Sequence, residues 1–171
     1  MDDTIKMVAE LMAISARTAP KAVGKDFLDI RVISGQDIKV LGEKMISISA
    51  ERGEPNFRRD GKNVLDSSAI LLIGLRSHPA LGLNCGACGF DCDGFNEKCN
   101  SMDFEGPNCL YRVLDMGIAI GSAVKTASMM NVDNRVMYRI GVAAKQLGIL
   151  DSQVVMGIPL SATGKSPYFD R

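Results

Sequence analysis

From Leu110 to Met130 the chain reads LYRVLDMGIAIGSAVKTASMM, and over these residues the only charges are Arg112, Asp115 and Lys125. A helix so apolar on most of its faces has to be covered, either by its own core or by a second copy of the chain. Gly117 and Gly121, one turn apart, leave room for another backbone to approach closely. Working outward, Asn134 to Leu147 carries Val136, Ile140, Ala143 and Leu147 at helical spacing, with Gly148 as a stop. Thr4 to Arg17 reads as a helix on Ile5, Val8 and Met12, closed off by Pro20. Leu28 to Ser34 (LDIRVIS) reads as a strand, Ser68 to Leu75 (SAILLIGL) as a buried strand, and Gln153 to Ile158 (QVVMGI) as the last strand. Ser34-Gly-Gln-Asp resembles a capping box that opens a helix over Ile38, Leu41, Met45 and Ile48, with Gly53 as its stop. Arg52 to Lys62 is polar, with room for a short helix near Phe57, and the tail after Ile158 reads as loop. Helices interleaved with a few strands give one α+β domain over residues 1–171.

Charge excludes some classes of partner. Lys plus Arg and Asp plus Glu both number 20, so the balance favours neither nucleic acid nor an anionic membrane. The N-terminus MDDTIKMVAELM has no basic region before an apolar one, and no apolar run approaches the roughly 20 residues that span a bilayer. The expected compartment is the cytoplasm, where thiols stay reduced.

All 5 cysteines fall between Asn84 and Cys109, in NCGACGFDCDGFNEKCNSMDFEGPNC. A disulfide framework fits poorly, because the count is odd and nothing indicates an oxidising compartment. A zinc site usually takes two short knuckles, and only Cys85-x2-Cys88 is one, with the single histidine, His78, outside the segment and expected to be exposed. An iron–sulfur cluster takes three thiolates close together and a fourth from a distance. Cys85, Cys88 and Cys92 supply the first three, with Gly86 and Gly89 between them for tight turns, and Cys109 the fourth, just before the apolar helix. Cys99 is the spare and an alternative fourth ligand. A cluster held by Cys85, Cys88, Cys92 and Cys109 is the favoured reading, with zinc as its rival.

These residues carry a resemblance. CGACGFDC followed by Cys109 looks like the four-cysteine motif of small [4Fe–4S] domains, although those commonly have four residues between the second and third cysteines rather than three. SARTAPKA, LNCGACGF, DMGIAIGSAV, VDNRVMYRIG and GIPLSATGKSPYFDR together resemble a family of ferredoxin-domain proteins from anaerobic prokaryotes. That family is similar to the FMN-binding nitroreductases, α+β homodimers with flavin between the subunits. The resemblance implies a nitroreductase-like single domain with a cysteine-rich insert over residues 83–109, a homodimer, and FMN as a second cofactor. It also implies a flavin-phosphate grip, with Arg17 supplying charge, Thr18 a hydroxyl, Lys21 assistance and Lys165 a second basic contact.

GKS at Gly164 to Ser166 is not a phosphate loop, since Pro159 stands where the first glycine belongs and Pro167 forbids the following helix. No residue stands out as acid, base or nucleophile, so whether the protein is an oxidoreductase enzyme is left open. The expected role is electron transfer through the cluster to or from a flavin or a partner protein. The rival is a non-catalytic dimeric assembly module whose metal only staples a loop.

Overall fold

The structure is a computed structural model that describes residues 1–97 and 100–169. In chain order the elements are α1 (Asp2–Thr18), β1 (Leu28–Ser34), α2 (Gln36–Arg52), α3 (Pro55–Leu65), β2 (Ala69–Leu75), α4 (Cys92–Asn96), β3 (Asn100–Ser101), β4 (Glu105–Gly106), α5 (Leu110–Met129), β5 (Asp133–Asn134), α6 (Tyr138–Gln146) and β6 (Val154–Ser161). The main sheet has the order β1-β2-β6-β5, every neighbouring pair antiparallel. Leu28 pairs with Leu75 and Leu75 with Val154 at one end of the sheet; Ser34 pairs with Ala69 and Ala69 with Leu160 at the other.

Both faces of this sheet are covered, so the uninterrupted apolar run of β2 is buried along its whole length. Ala69, Leu71, Ile73 and Leu75 face Val8, Met12, Met116, Ala119 and Ala123 in the layer of α1 and α5. Ile70 and Leu72 face Leu41, Met45, Phe57 and Ile140 in the layer of α2, α3 and α6. Alternate residues of one strand thus serve two cores, each buried aliphatic side chain contributing about 1.5–3 kcal/mol. The second layer sits very close: a Cβ on Gly141 of α6 would overlap the carbonyl oxygen of Val155.

Several expectations change in the structure. Ser34 belongs to the β1 ladder opposite Ala69, so Gly35 occupies the N-cap of α2 and no side chain caps it. The short helix near Phe57 is the 11-residue α3, because Phe57, Gly61 and Val64 line up one buried stripe. β6 runs through Pro159 to Ser161; proline is tolerated because β5 pairs only with Leu160 and Ser161. Gly53 stops α2 as expected, in the left-handed conformation at φ 68°.

Only one face of α5 is buried, on Met116, Ala119, Ala123 and Ala127. Its other face leaves Leu110, Val113, Leu114 and Ile118 between 39% and 48% exposed. A Cβ added to Gly117 or Gly121 meets no described atom within 4 Å.

Candidate metal centre and its surroundings

The cysteine segment leaves the sheet where β2 ends and returns at the start of α5. Its turns need unusual backbone: φ is 48° at Asn84, 66° at Gly86 and 90° at Gly89. Glycine takes that region without a steric penalty, and the N–H of Gly89 closes the turn on the carbonyl of Gly86 at 2.9 Å. Cys88 therefore lies inside this tight turn and Cys85 immediately precedes it. Asn84 ties this turn to Cys92, accepting the Cys92 N–H on its side-chain oxygen at 3.0 Å and directing its own N–H at the Cys92 Sγ at 3.3 Å. An N–H aimed at sulfur favours the thiolate form and tunes a sulfur-ligated centre. Asp91 caps α4 by accepting from Gly94 N–H at 2.6 Å, which fixes where Cys92 starts its helix.

Cys109 arrives from the other side. It is the buried N-cap of α5, and its N–H donates to His78 Nε2 at 3.2 Å. His78 Nδ1 lies 2.8 Å from the Arg76 carbonyl, so the tautomer with the proton on Nδ1 satisfies both contacts. Burial pushes the His78 pKa below its ordinary value, against the pull of the Arg76 carbonyl and assisted by the nearby Arg112 charge. His78 is 8% exposed, not exposed as expected, because Phe27 and Phe95 flank its ring.

Cys85, Cys88, Cys92 and Cys109 line one small pocket of about 10 Å³, walled by Leu81, Phe90 and Tyr111. All four are free thiols. Four sulfur donors around a mostly apolar space suit an iron–sulfur cluster or zinc by ligand chemistry. Bordering one space is a weaker condition than converging on one point: among the described residues no three His, Cys, Asp or Glu side chains stand together as a metal group. The chemistry of the donor set fits such a group. Cys99, the alternative ligand, lies outside the described residues.

The four expected flavin-phosphate residues do not form one pocket within a chain. Arg17 Nη1 holds Asp26 Oδ2 at 2.6 Å and the Leu28 carbonyl at 2.9 Å, leaving the rest of its half-exposed guanidinium outward. Thr18 donates its hydroxyl to the Ile14 carbonyl of its own helix at 3.1 Å. Lys21 folds back as a cap on the end of α1, donating to the carbonyls of Ala16 at 2.8 Å and Arg17 at 2.6 Å, and burial lowers its pKa. Lys165 is exposed beyond Ser161, at the far end of the sheet, where Tyr168 is bonded to Ser67. The antiparallel order puts about a strand length, some 20 Å, between Lys165 and Arg17. Arg17, Thr18 and Lys21 instead share the edge that carries the cysteines, through Asp26, Phe27 and Arg76.

A protein of Archaeoglobus fulgidus, itself described as an uncharacterized protein, is 49% identical over 172 residues, spanning 99% of this chain and 93% of its own length. Residues 105–171 match the family described as "Uncharacterized protein containing a ferredoxin domain (DUF2148)". The chain belongs to that family. Its fold is nitroreductase-like. An FMN-dependent nitroreductase of Mycobacterium smegmatis, solved in complex with NADPH, matches with a TM-score of 0.60 at 11% identity, covering 93% of this chain and 78% of that one. A nitroreductase of Bacteroides fragilis with bound FMN matches at 0.59 and 10% identity, over 96% and 86% of the two chains. At such identities the likeness concerns the fold alone.

In this ferredoxin-domain protein the β3–β4 hairpin is anchored by residues the sequence did not single out. Asp103 is held by Arg52 at 2.7 Å and by the Tyr138 hydroxyl, and Glu105 by Lys145 at 2.8 Å. The Arg52 hydrogen bond keeps the Asp103 carboxyl below the ordinary range, while burial first and then Asp103 push the Tyr138 phenol up to about 12. Near the start of α5, Arg112 is 2% exposed and reaches the carbonyls of Ala22 at 3.0 Å and Lys25 at 3.2 Å, and Asp115 at 3.1 Å. Asp115 in turn accepts the Ala22 N–H at 2.7 Å. The only sequence signal for this pair was its presence in a helix otherwise almost free of charge. Among the described residues no helix is long and apolar enough to cross a membrane.

Proposed function

We propose that this protein is an electron carrier in which Cys85, Cys88, Cys92 and Cys109 hold a [4Fe–4S] cluster that exchanges electrons with a flavin or a partner protein. The observation that carries the reading is that four cysteines, from two separate stretches of chain, border one apolar cavity at the start of α5. The ferredoxin domain of the family and the nitroreductase-like fold support a redox role in general. When bound, such a cluster supplies one-electron transfer. The chain's own contribution is to hold the thiols, direct the Asn84 N–H at Cys92, and seat Cys109 at the N-terminus of α5, where the helix dipole favours an anionic group. Four protein thiolates fill the ligand positions, which suits electron transfer better than catalysis at the metal.

FMN is the second cofactor of this reading, supported by the FMN proteins that share the fold. The free side of Arg17 and the end of α1 are where its phosphate is best received in this chain. Lys21 already caps the helix, and Lys165 reaches that edge only from another copy. A homodimer through the exposed face of α5, in a reducing cytoplasmic compartment, completes the proposal.

The deciding experiment is anaerobic purification with iron, acid-labile sulfide, zinc and flavin measured on one sample. About four iron and four sulfide per chain with a reducible chromophore support the reading. Stoichiometric zinc without sulfide overturns it and favours the assembly module, in which the metal only staples the loop.

A further inference from the structure

We propose that the Arg112–Asp115 pair is a positioning device that sets the reduction potential of the centre held by the cysteines, Arg112 raising it and Asp115 lowering it. The inference rests on the cluster reading above and adds to it two residues outside the ligand set.

Arg112 lies one turn after Cys109, and its N–H donates to the Cys109 carbonyl at 3.0 Å. Its guanidinium sits over the Phe27 ring at 4.7 Å, and that ring lies 6.2 Å from the ring of His78, which binds the Cys109 N–H. The cation is therefore packed beside the polypeptide that presents Cys109, at 2% exposure, where solvent screens little. Asp115 is 5% exposed and lies one further turn along α5, away from Cys109. The pair thus places a buried cation and a buried anion, 3.1 Å apart, on the helix that starts at Cys109.

The guanidinium is also incompletely used. Nη1 serves three acceptors, while Nε, fully buried, has no hydrogen-bond partner among the described residues. A buried donor without a partner costs stability. Reduction by one electron adds a negative charge to that centre, so a buried cation favours the reduced form and a buried anion opposes it. No bond forms or breaks at either residue; the electron comes from the reductant.

The test is a redox titration with dithionite of anaerobically loaded wild-type, Arg112→Gln, Arg112→Lys and Asp115→Asn proteins, followed by electron paramagnetic resonance of the reduced state. Arg112→Gln is expected to lower the reduced-to-oxidised ratio at a fixed potential about tenfold or more, a shift of about 59 mV per tenfold for one electron. Asp115→Asn is expected to raise it, and Arg112→Lys to stay near wild type because the charge is kept. A purely structural role predicts no such opposition of sign. If Arg112→Gln fails to fold, the upward shift in Asp115→Asn still decides. Shifts in the same direction, no shift in either, or failure of both to take up iron that the wild type takes up would overturn the inference. A wild-type protein without reducible iron would instead end the cluster reading itself.

Discussion

Replacing Gly117 by Ala acts in opposite directions on the single chain and on the assembly inferred for it. Gly117 lies on the solvent face of α5, and a methyl group built there meets no described atom within 4 Å. Within one chain the substitution removes a glycine from mid-helix without a clash, which stabilises the fold by about 0.5–1 kcal/mol. In a two-fold dimer packed through this face, the same methyl group enters the partner helix. Overpacking costs about 1–3 kcal/mol at each site, and symmetry counts the site twice. Association then weakens by about 2–6 kcal/mol, or roughly 30-fold to 10⁴-fold in dissociation constant. The interface at risk is apolar: Leu114 is 48% and Ile118 47% exposed in the single chain, and each has roughly half of its 1.5–3 kcal/mol of burial still to gain. Sedimentation equilibrium across a dilution series reads the association, and urea unfolding at dilutions where the protein is monomeric reads the fold. A Gly117→Ala protein that associates as tightly as the parent, or is less stable as a monomer, refutes the reasoning. A parent protein monomeric at micromolar concentration refutes its premise.

Cys88→Ala and Cys109→Ala are each expected to abolish iron and sulfide in anaerobic preparations, with Cys99→Ala milder; retention of full iron by Cys109→Ala would exclude it as a ligand. Gly141→Ala drives a methyl group into the Val155 carbonyl and is expected to lower stability by more than about 4 kcal/mol, read as a large fall in the urea midpoint. The Tyr138 phenol is raised above its ordinary 10.0 to about 12. The stability it contributes is therefore whole below about pH 10 and is lost as pH rises through about 12, so Tyr138→Phe should flatten the decline of the urea midpoint over that window. FMN is expected to bind more tightly than riboflavin, and Arg17→Ala to erase most of the difference. Because Asp26 already engages Arg17, the loss should be near the low end for a charge-assisted contact, about 1.5 kcal/mol or roughly tenfold; equal binding of the two flavins by the parent, in a fluorescence titration, would remove flavin phosphate from the proposal.

Much of the candidate centre was legible because its signals are local. The spacing Cys85-x2-Cys88-x3-Cys92 and the glycines between demand a turn whatever surrounds them, and Gly86 and Gly89 do adopt left-handed backbone. Cys109 at the head of an apolar helix was equally plain. His78 and Arg112 were not legible as neighbours of that head. One stood alone before a proline in a loop, the other in a helix with few charges, and nothing in the spacing says that both are buried against Cys109 or Phe27.

The residue pattern alone determined the main helices and strands and the need to cover both faces of β2. Leu28 to Ser34 forms the strand expected of it, and the seven unbroken apolar residues of β2 require cover on both faces, which two helical layers supply. Such patterns record how strongly each residue avoids water, a property of the residue and its near neighbours. Which distant residues meet is decided by strand order, and only the tertiary structure holds that. The antiparallel run β1-β2-β6 returns the chain to the end of the sheet opposite Arg17, so Lys165 cannot join Arg17 within one chain. The same order sets the head of α5 beside the loop that follows α1, where Arg112 and Asp115 are buried together because each offsets the other's charge and the backbone of Ala22 and Lys25 supplies further hydrogen bonds.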